Sequence, residues 1–138
     1  MTPSGDPERI DALARAFYSA FDNRNGRIPA ANAVASCLHP CARIAKWTSE
    51  GLEVMDPESF AAPRIALLTS GELRNFHEWE TSADTTILGD IACRQSTYSK
   101  EGTWAGQPYR GGGSKFFQLI RENGHWKIMS VVWQDHSA

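Results

Sequence analysis

Apolar residues recur every three or four positions through the first half of the chain and in shorter, β-rich runs through the second. Ile10, Leu13, Ala14, Phe17 and Phe21 fall on one helical face, the pattern of an amphipathic segment packed on a core. Asp6, Pro7 and Glu8 read as its N-cap, first helical residue and first-turn acid. "DNRNG" (22–26) stops this helix, with Gly26 as a left-handed cap. A short second helix opens at Ile28-Pro29 and runs to about Cys37. "MDPES" repeats the start signal with Asp56 and Pro57; Pro63 breaks or restarts this third helix, and Gly71 closes it.

Strands follow. "ARIAKWT" (42–48) is a short first strand leading to a turn at Glu50-Gly51. From Glu72 onward, runs rich in Thr, Ile, Val, Phe, Tyr and Trp are punctuated by "LGD" (88–90), by a loop "EGTWAGQPYRGGG" (101–113) and by "ENG" (122–124). Turn residues between β-rich runs mark antiparallel hairpins. The plan is α+β: helices first, then a meander of about four long strands with the helices against one face of an antiparallel sheet.

The closing hairpin is apolar on both faces. Phe117 and Leu119 alternate with Phe116 and Ile120, and Ile128 and Val132 are opposed to Met129, Val131 and Trp133. A strand with one solvated face carries apolar residues on one side only. Helices cover a single face, so the other predicts a homodimer through the outer sheet face.

Composition changes little in this picture. A chain of 138 residues is one domain, residues 1–138, with 41% hydrophobic and 22% charged positions and a formal charge of -2. No basic stripe marks a nucleic-acid partner, and no apolar run or N-terminal signal pattern marks a membrane or export route. The expectation is a cytoplasmic protein. Cys37, Cys41 and Cys93 are an odd set, which fits a reducing compartment. "CLHPC" (37–41) lacks the further ligands of a structural zinc site and reads as two small buried thiols at a helix-to-strand corner.

In order along the chain, "FHEWE", "LGDIA", "STY", "YRGGGSKFFQL" and "HWKIMSVVW" resemble the nuclear transport factor 2-like superfamily in its SnoaL-like branch. With the helical opening, the likeness spans nearly the whole chain. It implies a cone, in which a strongly curved sheet wraps a pocket closed by the N-terminal helices, and a dimer through the outer sheet face. Relatives by this resemblance include isomerases, dehydratases, cyclases, epoxide hydrolases and transport factors, so the pocket and not the fold selects the function.

Candidate chemistry centres on "NFHEWE" (75–80). Strand alternation sends Phe76, Glu78 and Glu80 to one face and His77, Trp79 and Thr81 to the other; a bulge in a curved sheet can exchange the two. With the glutamates facing the cone, Glu78 is the candidate proton-transfer group, because burial raises a carboxyl's pKa toward working pH. Tyr98 and Gln118 would polarise a substrate oxygen. Tyr18, Trp47, Glu80, Ser96, Arg110 and Ser114 complete the predicted lining, with Arg110 as a candidate ion-pair partner of Glu78 or Glu80. "ARIAKWT" carries no aspartate, so the resemblance does not transfer a steroid-isomerase site. His77 has no histidine at ligand spacing, and no metal or other cofactor is expected. Asp135 and His136 read as an exposed tail. The function implied is cofactor-free isomerisation, dehydration or cyclisation of a small apolar carbonyl compound; the alternative is a non-catalytic ligand-binding or interaction module.

Overall fold

Residues 5–136 are described by a computed structural model. The first helix, α1 (Asp6–Ser19), buries Ile10, Ala14, Phe17 and Tyr18, so the apolar stripe is the packed face. Its N-cap is Gly5 and not Asp6. The Asp6 carboxylate instead accepts hydrogen bonds from Arg121 Nη1 at 2.7 Å and from the Trp126 indole at 3.0 Å, fastening the helix start to the sheet. The helix ends ahead of "DNRNG"; Gly26, at φ 78°, closes a 3-10 turn over Arg24–Gly26.

A short α2 (Ala31–Ala35) leads into β1 (Leu38–Thr48), which forms a hairpin with β2 (Gly51–Met55). Next comes α3 (Pro57–Thr69), begun by a capping box in which Asp56 accepts from the Ser59 backbone at 2.8 Å and Ser59 Oγ accepts from the Asp56 backbone at 3.0 Å. Pro63 neither breaks nor restarts this helix. Pro63 and Ser59 are both exposed, so the carbonyl deprived of its helical bond stays within reach of water. Gly71 ends the segment at φ 87°.

Four long strands follow: β3 (Leu73–Leu88), β4 (Ile91–Trp104), β5 (Gln107–Glu122) and β6 (His125–His136). The expected loop at 101–113 is a tight hairpin turning at Ala105-Gly106, with the three glycines inside β5. The strand order is β2-β1-β6-β5-β4-β3. All neighbours are antiparallel except β1 and β6, which run parallel, Ile44 beside Val131 and Lys46 beside Trp133. The sheet is therefore mixed, because the meander brings its last strand back alongside the first. The cone is a curved, unclosed sheet with helices against its inner face.

Bulges decide which side chains enter the cone. An extra residue at Met129 puts Ile128 on the same face as Val131 and Trp133 and leaves Val132 outside, where simple alternation pairs Ile128 with Val132. Bulges in β3 follow Arg74 and Glu80, and between them Phe76, Glu78 and Glu80 face inward. Phe17 is the hub of the core, with ring centroids 6.0 Å from Phe60, 5.6 Å from Phe117 and 5.8 Å from Phe21. Such aromatic contacts add about 0.5–1.5 kcal/mol each beyond area burial. Among the described residues, no helix is long and apolar enough to cross a membrane.

Candidate functional site

The inner face of the sheet and helices α1 and α3 enclose a cavity of about 350 Å³, at the small end of the range for ligand pockets. Phe17, Phe60, Leu68, Phe76 and Trp133 form its apolar walls. Polar groups gather where β3, β4, β5 and β6 run side by side.

Glu78 enters this cavity, and Lys115 from β5 donates to its Oε1. The side chains keep 13% and 6% of their exposure, so both charges are largely out of water. The Lys115 ammonium also lies 3.8 Å from the Tyr98 ring centroid and 4.7 Å from that of Tyr18. Burial pushes the Lys115 pKa below its ordinary value, and the attraction of Glu78 opposes that shift without cancelling it. Arg110 does not take this role. It is exposed at the outer end of β5, in register with Glu101.

Tyr98 donates its hydroxyl proton to Asp135 Oδ1. Lys100 and Lys46 approach the other oxygen of that carboxylate at 3.1 Å and 3.2 Å. Burial alone would raise the Asp135 pKa; the tyrosine hydrogen bond and the two lysines outweigh it and hold the carboxyl down at about 2. Burial, followed by the Asp135 carboxylate, drives the Tyr98 phenol well above its ordinary value. Tyr98 is therefore a neutral donor already engaged. Its hydroxyl has room because Gly113 lies opposite: a Cβ there would sit 2.5 Å from the Tyr98 oxygen and closer still to the Gln134 carbonyl.

Glu80 is committed elsewhere. Arg94 donates to it through Nε at 3.1 Å and through Nη2, and Ser96 Oγ donates at 2.6 Å. Arg94 also reaches Asp11 at 2.7 Å, and Tyr18 shares a 2.7 Å hydrogen bond with Ser96. Glu80, Ser96 and Tyr18 thus form a hydrogen-bonded network tying α1 to β3 and β4, with the Glu80 charge neutralised by Arg94 and the hydroxyl protons of Ser96 and Tyr18 both spent within it.

The remaining predicted residues lie outside the cone. Trp47 is 55% exposed on the outer face of β1. Ser114 pairs with His136 at 3.3 Å, and Gln118 accepts from Ser130 at 2.8 Å, both on the outer face of the sheet. The structure brings Glu78 and Tyr98 together through Lys115 and leaves Gln118, Ser114, Trp47 and Arg110 apart. Asp135, expected in an exposed tail, is instead bound on three sides at the cavity. Cys37 is buried as expected, but Cys41 is exposed. Among the described residues no cluster of three metal-ligating side chains occurs.

Sequence reasoning missed Lys115, Lys100 and Asp135, although their phase marks them. Lys115 alternates in step with buried Phe117 and Leu119, Lys100 with Arg94, Ser96 and Tyr98, and Asp135 with Val131 and Trp133. A charged residue in phase with a buried face is the signal to read.

A cone of helices and curved sheet around a cavity with aromatic walls and buried charges defines a class of small pocket-bearing α+β domains. Among solved structures the chain is similar to a nuclear transport factor 2-like superfamily protein from Salmonella enterica, with TM-score 0.75, 11% identity, and 95% of this chain and 91% of that one covered. An NTF2-like protein from Cytophaga hutchinsonii gives TM-score 0.72 at 13% identity, covering 96% of this chain and 100% of that one. A cystatin-like-fold protein of unknown function from Nostoc punctiforme gives 0.73 at 16%, with 100% and 97% covered. No family model matches the chain, and no curated protein matches it by sequence. The fold is that of the nuclear transport factor 2-like proteins; the finer SnoaL-like likeness rests on the sequence motifs alone.

Proposed function

We propose that the cone binds a small, mainly apolar carbonyl compound and moves a proton within it without a cofactor. The observation that carries this reading is the Glu78–Lys115 pair, largely out of water, set in the wall of a cavity whose apolar side is built from Phe17, Phe60, Phe76 and Trp133. In a dry site each partner gains force: a Glu78 oxygen takes a proton from the carbon next to the carbonyl, and the Lys115 ammonium donates a hydrogen bond to the enolate oxygen that forms. Returning the proton to a different carbon is an isomerisation; returning it to a β-hydroxyl, which then leaves the same enolate as water, is a dehydration. Tyr98, clamped by Asp135, orients Lys115 through its ring and does not reach for the substrate oxygen.

The test is proton exchange. Wild-type protein in D₂O should load deuterium at the α-carbon of small aryl and cyclic ketones, and Glu78→Gln should not. A folded Glu78→Gln protein that exchanges at the wild-type rate refutes the assignment.

The active unit we propose is a homodimer through the outer sheet face. Phe116, Val132, Ala45 and Val54 stand in register across β5, β6, β1 and β2, a transverse row in which Phe116, Val132 and Val54 are 55%, 50% and 60% exposed. Trp47 and Leu52, paired in the next row, extend it. A continuous apolar row of this kind, running from β5 to the edge strand β2, is an association surface, and a second copy related by a two-fold axis meets it with the same row.

A further inference from the structure

Four cations line the cavity, Lys46, Arg64, Lys100 and Lys115, against three carboxylates, Glu53, Glu78 and Asp135. Lys115 is paired with Glu78, and both Lys46 and Lys100 with Asp135. That leaves Glu53 of β2 and, attracted to it without pairing, Arg64 of α3. Among the described residues it makes no ion pair: its Nη1 donates to the Phe60 carbonyl at 3.0 Å and lies 3.7 Å from the Met55 sulfur. Its Nε and Nη2 donate to no acceptor among these residues, and neither is an atom closed off from solvent.

The guanidinium is held in place all the same. Its central carbon lies 4.5 Å from the Phe60 ring centroid and 5.4 Å from that of Trp133, so the cation rests on aromatic rings of the cavity wall. A planar, weakly hydrated cation fixed on rings, with part of its donor fork unspent, has the form of a carboxylate receptor. A carboxylate there would also balance the one surplus positive charge of the lining.

We propose that the ligand of this cavity is an anion: a carboxylic acid with an apolar, aromatic-sized body, whose carboxylate pairs with Arg64 while the body lies between Phe60, Phe76 and Trp133. This deepens the proton-transfer reading and rests on it for the other end of the molecule, where a carbonyl faces Glu78 and Lys115. The substrate class is then an apolar oxo-acid. Arg64 is a binding group and takes no part in the proton transfer.

The experiment is calorimetric binding of 2-naphthoate and trans-cinnamate, each against its own carboxamide, to wild-type, Arg64→Gln and Glu78→Gln proteins at millimolar concentration. Each acid should bind wild-type protein about tenfold or more tighter than its amide, as an added charge-assisted pair requires. In Arg64→Gln the acid and the amide should bind within about twofold of each other, and in Glu78→Gln the preference for the acid should persist. Equal binding of acid and amide to wild-type protein overturns the proposal, as does failure of both acids to bind; neither result needs the variants to fold. Binding tests Arg64 and exchange tests Glu78, so either reading can fall alone.

Discussion

Replacing Lys115 by Met removes the ammonium and keeps most of the volume, leaving Glu78 without its cation in the wall of the cavity. Breaking one side of a buried ion pair costs about 3–5 kcal/mol when the orphaned charge is fully desolvated. Glu78 keeps 13% of its side-chain exposure and borders a cavity of about 350 Å³, so water relieves part of that penalty. The expected loss is about 2–4 kcal/mol. Glu78→Gln should cost less, about 1–2 kcal/mol, because the ammonium it strands still rests on the rings of Tyr98 and Tyr18. The double variant should lose less than the two single losses combined, by a coupling of about 1–3 kcal/mol. Urea unfolding of all four proteins at pH 7, with unchanged m-values, measures this cycle. A coupling near zero, or a Lys115→Met protein as stable as wild type, would mean the pair does not exist in solution.

Two further outcomes follow from the same structure. Asp22, held by Arg24 and Arg27, and Asp135 both have pKa values depressed to about 2 from 3.8, so each adds stability that is complete above pH 4 and is lost as pH falls toward 2. Discounted for the exposed arginines, the two together are worth about 2 kcal/mol, and urea midpoints should fall accordingly across that window; a flat profile contradicts it. Phe116→Glu should convert a dimer to a monomer of unchanged fold in sedimentation velocity, while a wild-type chain that sediments as a monomer removes the outer-face proposal.

The elements were legible where local chemistry is strong. Asp56 with Pro57 marked the start of α3, and the stripe from Ile10 to Phe17 marked α1, because caps and helical faces are set by residues a few positions apart. The parallel pairing of β1 with β6 was not legible, since it joins two segments separated by β2, α3 and three long strands. Strand faces were legible up to the first bulge. Glu78 and Glu80 point as alternation from Phe76 predicts, whereas the extra residue at Met129 moved Ile128 across the sheet. The site divided in the same way. Glu78 stood out as a carboxylate beside aromatics, but its partner did not, because Lys115 is distant in sequence and a lysine reads as surface by type. Asp135 was misplaced for its nearness to the end of the chain, when its phase with Val131 and Trp133 put it inside.

The central claim is that Glu78, paired with Lys115 inside the cone, moves a proton. Its most direct measurement is the rate at which deuterium enters an aryl ketone bearing a carboxylate, followed by proton NMR in D₂O with wild-type and Glu78→Gln proteins side by side. Exchange by wild type is expected, with a loss of about a hundredfold or more in a folded Glu78→Gln protein that still binds the ketone, the size of effect a general base supplies. Equal exchange by the two proteins, or none by a wild type that binds the ketone, would contradict it.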